Sequence, residues 1–353
     1  MSGANVQVDV VVPCYNYARY LPQCLDSIRK AGSTARVLII DDCSTDDTPE
    51  VGQQLAAADA LVEFRRHAKN QGHINTYNEG LIDWAQSPYS ILLSADDLLA
   101  PGSLERAVRL MDRHPEVHMT YGFATIFTDT KPPVVDQASD EHQLIPGPQL
   151  IQRICAEGNV VPTPAAIVRT AIQQQVGGYK RHLPHSGDME MWLRFASLGP
   201  VGVFNAVQAH YRVHDTNMSR QIYSLALRDR HEQLEACREA CEFADGRVPG
   251  FADWVAAMAE RFAAESFWVG SSAFDRNDAE LTAKCMELAR EFDPSIVRSR
   301  MWRRFRLKQV MGPRVWKGVR KLLNRHDDAG SGVEDRAPPP GSRIGWWPGQ
   351  VGS

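Results

Sequence analysis

The 353 residues contain no run of 18 apolar positions, so no helix is expected to cross a membrane. Met1 to Asp9 is short and polar and lacks the apolar centre of a signal peptide. The seven cysteines form no CxxC pair, which argues against a zinc site or a redox dithiol. Their odd number and irregular spacing read instead as reduced thiols, and therefore as a cytoplasmic compartment. No GxGxxG and no GxxxxGK motif occurs, so neither a dinucleotide cradle nor a P-loop follows the first strand. Positive charge is not in surplus either. There are 39 Lys and Arg against 43 Asp and Glu, a formal net charge of −4, which disfavours a nucleic-acid partner.

What is present is an ordinary soluble composition, 43% hydrophobic and 23% charged, long enough for about two domains. Charge is distributed unevenly. Arg298 to Arg325 holds eleven Lys and Arg and no acid, and the remainder carries 28 basic residues against 43 acidic ones. Short apolar runs at Val8–Val12, Val37–Ile40, Leu61–Phe64 and Tyr89–Leu93 read as strands. Helical patterns alternate with them. Leu21, Leu25 and Ile28 mark one, Ile74, Tyr77, Leu81 and Trp84 another, and Leu104, Ala107, Val108 and Met111 a third. Thr48-Pro49-Glu50 reads as a helix start. This alternation predicts an α/β fold with a mostly parallel sheet.

Residues 128–148 read as a surface loop. Leu150–Ile154 and Asp188–Leu198 read as helices, and Ala165–Val168, Val201–Phe204 and Ala209–Val213 as strands. Helical signals run from Gln221 to about Asp293. The Gly- and Pro-rich chain after about Asp327 reads as disordered, and its Trp346-Trp347 pair is out of place there. The expected organisation is a domain over 1–220, a helical extension over 221–297, a basic amphipathic segment over 298–325 and a disordered tail over 326–353.

In an open α/β sheet, ligands bind beyond the carboxyl ends of the strands. Asp41-Asp42 and Asp96-Asp97 follow strands two and four, and Asp188 opens a helix after the turn His185-Ser186-Gly187. Carboxylates brought together repel unless a hard cation or hydrogen-bond donors lie among them. Each pair taken alone is also consistent with ordinary turn and capping Asp residues.

These residues occur in ordered blocks. Val10-Val11-Val12-Pro13-Cys14-Tyr15-Asn16 is followed by Ile39-Ile40-Asp41-Asp42-Cys43-Ser44-Thr45-Asp46. Then come Asn70-Gln71-Gly72 with Asn78-Glu79-Gly80, Leu93-Ser94-Ala95-Asp96-Asp97, and Gly187-Asp188-Met189-Glu190-Met191-Trp192-Leu193-Arg194. Tyr211-Arg212-Val213-His214 with Asn217-Met218-Ser219 closes the set. Over about residues 5–220 this order resembles family 2 glycosyltransferases. The resemblance implies a GT-A fold (the nucleotide-diphospho-sugar transferase, Rossmann-like type) with a C-terminal helical extension. It implies transfer of a sugar from a UDP- or dTDP-linked donor, with inversion, to a saccharide or lipid-linked acceptor.

Residue by residue, the resemblance implies that Pro13, Tyr15, Asn16, Asp41, Asp42, Asn70 and Asp96 bind the nucleotide-sugar. Asp96, Asp97 and His214 would meet a divalent metal, Mg²⁺ or Mn²⁺. Asp188 would be the general base, held ionised by its helix N-terminus, and Trp192 would lie on the acceptor side. The plainer alternatives remain open: a helix cap for Asp188, a strand-end His for His214, core packing for Trp192. Two departures stand out, since the family often has acids where Ser94 and Gly187 stand. A catalytically silent scaffold and a sugar nucleotidyltransferase are the competing readings. The latter would want a Gly-rich basic loop after the first strand, and Cys14-Tyr15-Asn16-Tyr17 is not one.

The segment from Arg298 to Arg325 interleaves cations with Trp302, Phe305, Leu307, Val310, Trp316 and Val319. Gly312-Pro313 is expected to split it into two helices. A basic amphipathic helix carrying Trp fits an anionic membrane surface, and a solvated helix packed on the catalytic domain is the open alternative. The expected location is cytoplasmic, with the first reading placing it peripherally on the inner membrane face.

Overall fold

A computed structural model describes residues 6–128, 139–214, 226–323 and 341–348. The N-terminal half alternates strand and helix: β1 (Val8–Cys14), α1 (Leu21–Lys30), β2 (Ala35–Asp41), α2 (Thr48–Ala58) and β3 (Val62–Arg66). Next come α3 (His73–Asn78), a π-helical turn (Glu79–Trp84), β4 (Tyr89–Leu92), the two-residue β5 (Leu98–Leu99) and α4 (Ser103–Arg113). Alternation along β1 explains the layering, because successive side chains point to opposite faces. Val8, Val10 and Val12 pack with Leu25 and Ile28 of α1 and Leu104 and Met111 of α4, whereas Val11 joins Leu81 and Trp84 on the other face. Gly80 lets the π-helical turn lie directly on β1, since a Cβ there would sit 2.2 Å from Val11 Cγ1. Asp9, buried in β1, accepts from Arg36 and from the N–H groups of Gln86 and Ser87.

The chain continues through β6 (Met119–Phe127), β7 (His142–Ile145), α5 (Gly147–Glu157), a 3₁₀ turn (Thr163–Ala165) and β8 (Ile167–Arg169). Then follow α6 (Thr170–Val176), α7 (Gly187–Ala196) and β9 (Val201–Arg212). The strand order is β3-β2-β1-β4-β8-β6-β9-β5, with β7 on β9. The sheet is α/β as expected, with its long pairings parallel and short antiparallel strands added to them. Pairs β1–β2, β2–β3, β1–β4 and β6–β9 are parallel, but β8, β5 and β7 pair antiparallel with their neighbours. The two expected strands over 201–213 are one strand, whose register against β6 shifts between Tyr121 and Ala124. Part of the expected loop at 128–148 is β7 and the start of α5, and 129–138 lie outside the described residues.

Helices α8 (Ala226–Ala244), α9 (Phe251–Asp275), α10 (Ala279–Phe292) and α11 (Arg300–Leu323) follow. Phe251, Phe262, Phe267, Trp302 and Phe305 belong to the same apolar cluster as Val11, Trp84 and Leu193, so the helices extend the core of the sheet. Asp278 caps α10, accepting from the Leu281 N–H at 3.0 Å. Gly312, at φ 76° and ψ 158°, interrupts α11 where Gly312-Pro313 predicted a break. The tail expected to be disordered is ordered at 341–348. A final strand, β10 (Arg343–Ile344), pairs antiparallel with β6, and Trp347 is buried. The remainder of that tail lies outside the described residues. The seven cysteines are free thiols, and all but Cys43 and Cys241 are buried.

Candidate active site

A cleft of about 400 Å³ opens over the carboxyl ends of β1 and β4. Pro13, Ser94, Asp96, Asp97 and Asp188 line it, together with His73, Ile74, Tyr77, Thr163, Tyr179 and Tyr211. Carboxylates that are 92 positions apart in sequence thus share one chamber, because α7 returns the chain to the end of β4.

Asp96 and Asp97 follow β4 and are both buried. Asp96 Oδ2 meets His214 Nε2 at 3.0 Å, but among the described residues its buried Oδ1 has no hydrogen-bond partner. Asp97 Oδ1 accepts from the Arg212 N–H at 2.9 Å. Burial, then the neighbouring Asp96 charge, pushes the Asp97 carboxyl well above its ordinary range. His214 is stacked on Tyr20, with Tyr17 edge-on to it. Asn217, Met218 and Ser219 of the same block lie outside the described residues.

Among the described residues, no three His, Cys, Asp or Glu side chains are grouped as a ready-made metal cage. The residues present nevertheless fit Mg²⁺ or Mn²⁺. Such ions bind through one or two carboxylates and take their other oxygens from substrate phosphates and water. The unpartnered Asp96 Oδ1 is a hard oxygen of that kind, with Asp97 beside it.

Asp188 stands near the N-terminus of α7. Its Oδ2 accepts from Asn159 Nδ2 at 2.9 Å and Thr163 Oγ1 at 2.8 Å, and its Oδ1 from the Met189 N–H at 2.7 Å. The helix N-terminus expected to hold it ionised is not the only influence on this carboxyl. Burial raises its pKa, and the Thr163 and Met189 hydrogen bonds offset that only in part. Side chains tie α7 to the 176–178 turn and hold the segment that leads into it. Glu190 and Arg194 form a buried ion pair at 2.7 Å, and Arg194 also donates to the carbonyls of Val176, Gly177 and Gly178. Asn78 pairs both of its amide atoms with the Tyr179 backbone, at 2.9 and 2.7 Å.

Five expected nucleotide-binding residues do not line the cleft. Tyr15, just after β1, is 47% exposed. Asn16 has a left-handed backbone (φ 60°) and braces the loop after β2, its Oδ1 accepting from the Thr45 N–H at 2.8 Å. Asp41 and Asp42 are buried and partnered by protein. Asp41 accepts from the Ser44 N–H and meets Arg66 at 3.2 Å. Asp42 accepts from the N–H groups of Gln71 and Gly72 and contacts His67 Nδ1 at 2.7 Å. Asn70 is exposed and turns back onto the Gly72 N–H. Trp192, expected on the acceptor side, is corrected to a core residue. It is 3% exposed, because α7 turns that face toward the apolar cluster.

The family model described as "Glycosyl transferase family 2" matches residues 9–176. Residues 9–176 are a family 2 glycosyltransferase domain. The domain contains β1 to α6, and Asp188 and β9 lie just beyond the match. Over 119 residues, 32% of the chain, it is 36% identical to the uncharacterized protein y4gI of Sinorhizobium fredii. Over 225 residues, 60% of the chain, it is 27% identical to the uncharacterized glycosyltransferase alr2836 of Nostoc. The alignments span 13% and 66% of those relatives' own lengths. Among solved structures, S. aureus TarS 1–349 in complex with UDP-GlcNAc matches with a TM-score of 0.52 and 16% identity. That match covers 83% of this chain and 92% of TarS 1–349, and shows a shared GT-A fold.

Several residues of the glycosyltransferase domain and its margins escaped the sequence reading. Asn159 and Thr163 hold Asp188 but sit in a segment without periodicity. Arg212, fully buried, donates its backbone N–H to Asp97 and its Nε to the Asp96 carbonyl. Its guanidinium lies between the Tyr20 and Phe127 rings, 4.5 and 4.4 Å from their centroids. The one available signal was its place in the block that ends at His214.

Proposed function

We propose that the chain transfers a sugar from a nucleotide-sugar, UDP- or dTDP-linked, to a hydroxyl of a saccharide or lipid-linked acceptor, with inversion. One observation carries this reading: the Asp96–Asp97 pair and the separately held Asp188 line the same cleft. Inversion needs a single carboxylate on the acceptor side, taking the hydroxyl proton as that oxygen attacks the anomeric carbon. Asp188 suits that task. Asn159 and Thr163 fix its orientation, and burial raises its pKa toward that of a more effective base. At the other end, Asp96 and Asp97 would hold Mg²⁺ or Mn²⁺, which supplies Lewis-acid stabilisation of the departing diphosphate. Pro13 lines the donor side, and the buried Asp41 and Asp42 shape the loops that receive the base and ribose.

The test is turnover of a nucleotide-sugar chosen from a thermal-shift panel run with Mn²⁺. Asp188→Asn should lose at least 10²-fold in kcat while keeping the wild-type shift with UDP and Mn²⁺. The wild-type acid limb of kcat/KM should lie above the ordinary carboxylate range. An active Asp188→Asn enzyme would refute the assignment.

We further propose that α11 rests on an anionic membrane surface, where a lipid-linked acceptor would lie. Trp302 and Phe305 face inward, while Leu307 and Val310 are 63% and 87% exposed among Arg303, Arg304 and Arg306. No described helix is long and apolar enough to cross a membrane. Leu307→Glu with Val310→Glu should abolish co-sedimentation with anionic liposomes at unchanged thermal stability. Equal pelleting of variant and wild type would defeat this part.

A further inference from the structure

β6 is paired along its length by β9 on one side. On the other side β8 covers only Met119 and Thr120. The strand edge beyond is filled by residues from the far end of the chain. Arg343 pairs with Thr125 and Ile344 with Ala124. The Gly341 N–H donates to the Ile126 carbonyl at 2.7 Å, and the Ile126 N–H to the Ser342 carbonyl at 2.9 Å. Side chains lock the strand in place. Trp347 is buried in the main apolar cluster, the Arg153 guanidinium lies 5.4 Å from the Trp346 ring, and Arg343 lies over Phe123.

The seated strand reaches the cleft. Ile344 and Gly345 line it together with Asp188. Ile344 packs on the small cluster of Ala124, Ala165 and Ala209, beside Tyr211. Ala165 ends the 3₁₀ turn whose Thr163 holds Asp188 Oδ2. Ile344 therefore sits on the base side of the cleft. Gly345, at φ 123°, keeps the backbone against β6, where a Cβ would lie 3.3 Å from the Gly122 carbonyl oxygen.

We propose that residues 341–348 are a strand added in cis to the edge of β6 that builds one wall of the acceptor subsite, with Ile344 as a specificity-determining residue. The wall is apolar: Ile344 joins Val160, Val161, Pro162 and Pro164. It fits an acceptor that presents an apolar face beside the reacting hydroxyl, such as an alkyl or aryl glycoside. The subsite assignment rests on Asp188 being the base; the seating of the strand does not.

Two measurements, each against the full chain, test it. By hydrogen exchange, ending the chain at residue 340 should expose the Ile126 amide, which is protected in the intact protein. An unchanged Ile126 rate would overturn the seating. Ile344→Ala is then assayed with a panel of methyl, octyl and p-nitrophenyl glycosides. KM for the octyl and p-nitrophenyl acceptors should rise about tenfold, with donor KM and acceptor-free donor hydrolysis unchanged. Acceptor KM values that stay level, or that move together with donor KM, would overturn the wall. Should Asp188→Asn stay active, the base reading fails while the exchange result still decides the strand.

Discussion

The ion pair Glu190–Arg194 offers a sharp test of how α7 is held. Both side chains are essentially buried, and Arg194 also donates to three carbonyls of the 176–178 turn. Glu190→Met leaves a buried guanidinium with those carbonyls alone, so the loss belongs at the lower end of the 3–5 kcal/mol expected for a broken buried pair. Take about 3 kcal/mol. A chain of this length has an unfolding entropy of about 0.7 kcal/mol/K, so Tm should fall about 4 °C. Arg194→Met should cost more, because it strips three carbonyls and a carboxylate of their donor at once. The double Met variant should recover part of the loss, since an apolar pair of similar volume has no desolvation to offset. Differential scanning calorimetry on the four proteins closes the cycle, with an expected coupling of about 2 kcal/mol. Additive single losses would show that the two groups do not act as a pair.

Two further outcomes follow from the same geometry. Burial lowers the His67 pKa, but its bonds to Asp42 and Glu79 outweigh this and leave it raised, so its stabilisation is full below about pH 6.5 and fades as pH rises through the folded value. His67→Phe should therefore cost more in urea unfolding at pH 6 than at pH 9, and equal costs would contradict the assigned sign. Asp96→Ala removes the unpartnered Oδ1, so the Mn²⁺-dependent part of the thermal shift with UDP should vanish while the metal-free part persists. A full Mn²⁺ response in that variant would show that the ion is held elsewhere.

Much of the N-terminal half was legible because its signals are local. The runs at Val8, Val37 and Tyr89 are strands, and Thr48-Pro49 does open a helix. The antiparallel additions were less legible, because β5 and β10 are only two residues long. Strands that short carry no periodicity, and tertiary pairing alone makes them strands. Trp192 was ambiguous for a related reason. Helical spacing shows that a face is apolar, but it does not show which neighbour that face meets. The Trp346-Trp347 pair is intelligible only once β6 is seen to have an uncovered edge.

The strand-end acids divide by how their oxygens are used. Asp41, Asp42 and Asp46 take backbone N–H groups from the loops around them, so each braces the local chain. Their residue type is that of Asp96, but protein groups answer them: Asp41, whose buried Oδ2 also lacks a hydrogen bond, lies 3.2 Å from the Arg66 guanidinium. Among the described residues Asp96 keeps one buried oxygen, Oδ1, without a donor while Oδ2 meets His214, beside a second carboxyl whose pKa is pushed upward, an arrangement that costs folding energy. A protein tolerates that where an external charge completes the set. Reversing the two roles would fail on both counts. An Asp42→Asn side chain would put an amide N–H near backbone donors, and an Asp96→Asn side chain would fill the open position with a group that cannot neutralise a cation. The first substitution should lower stability while leaving the metal response of the folded fraction intact, and the second should do the opposite. Thermal melts with and without Mn²⁺ and UDP distinguish the two, and matching effects from both would remove the basis for separating scaffold carboxylates from ligand carboxylates.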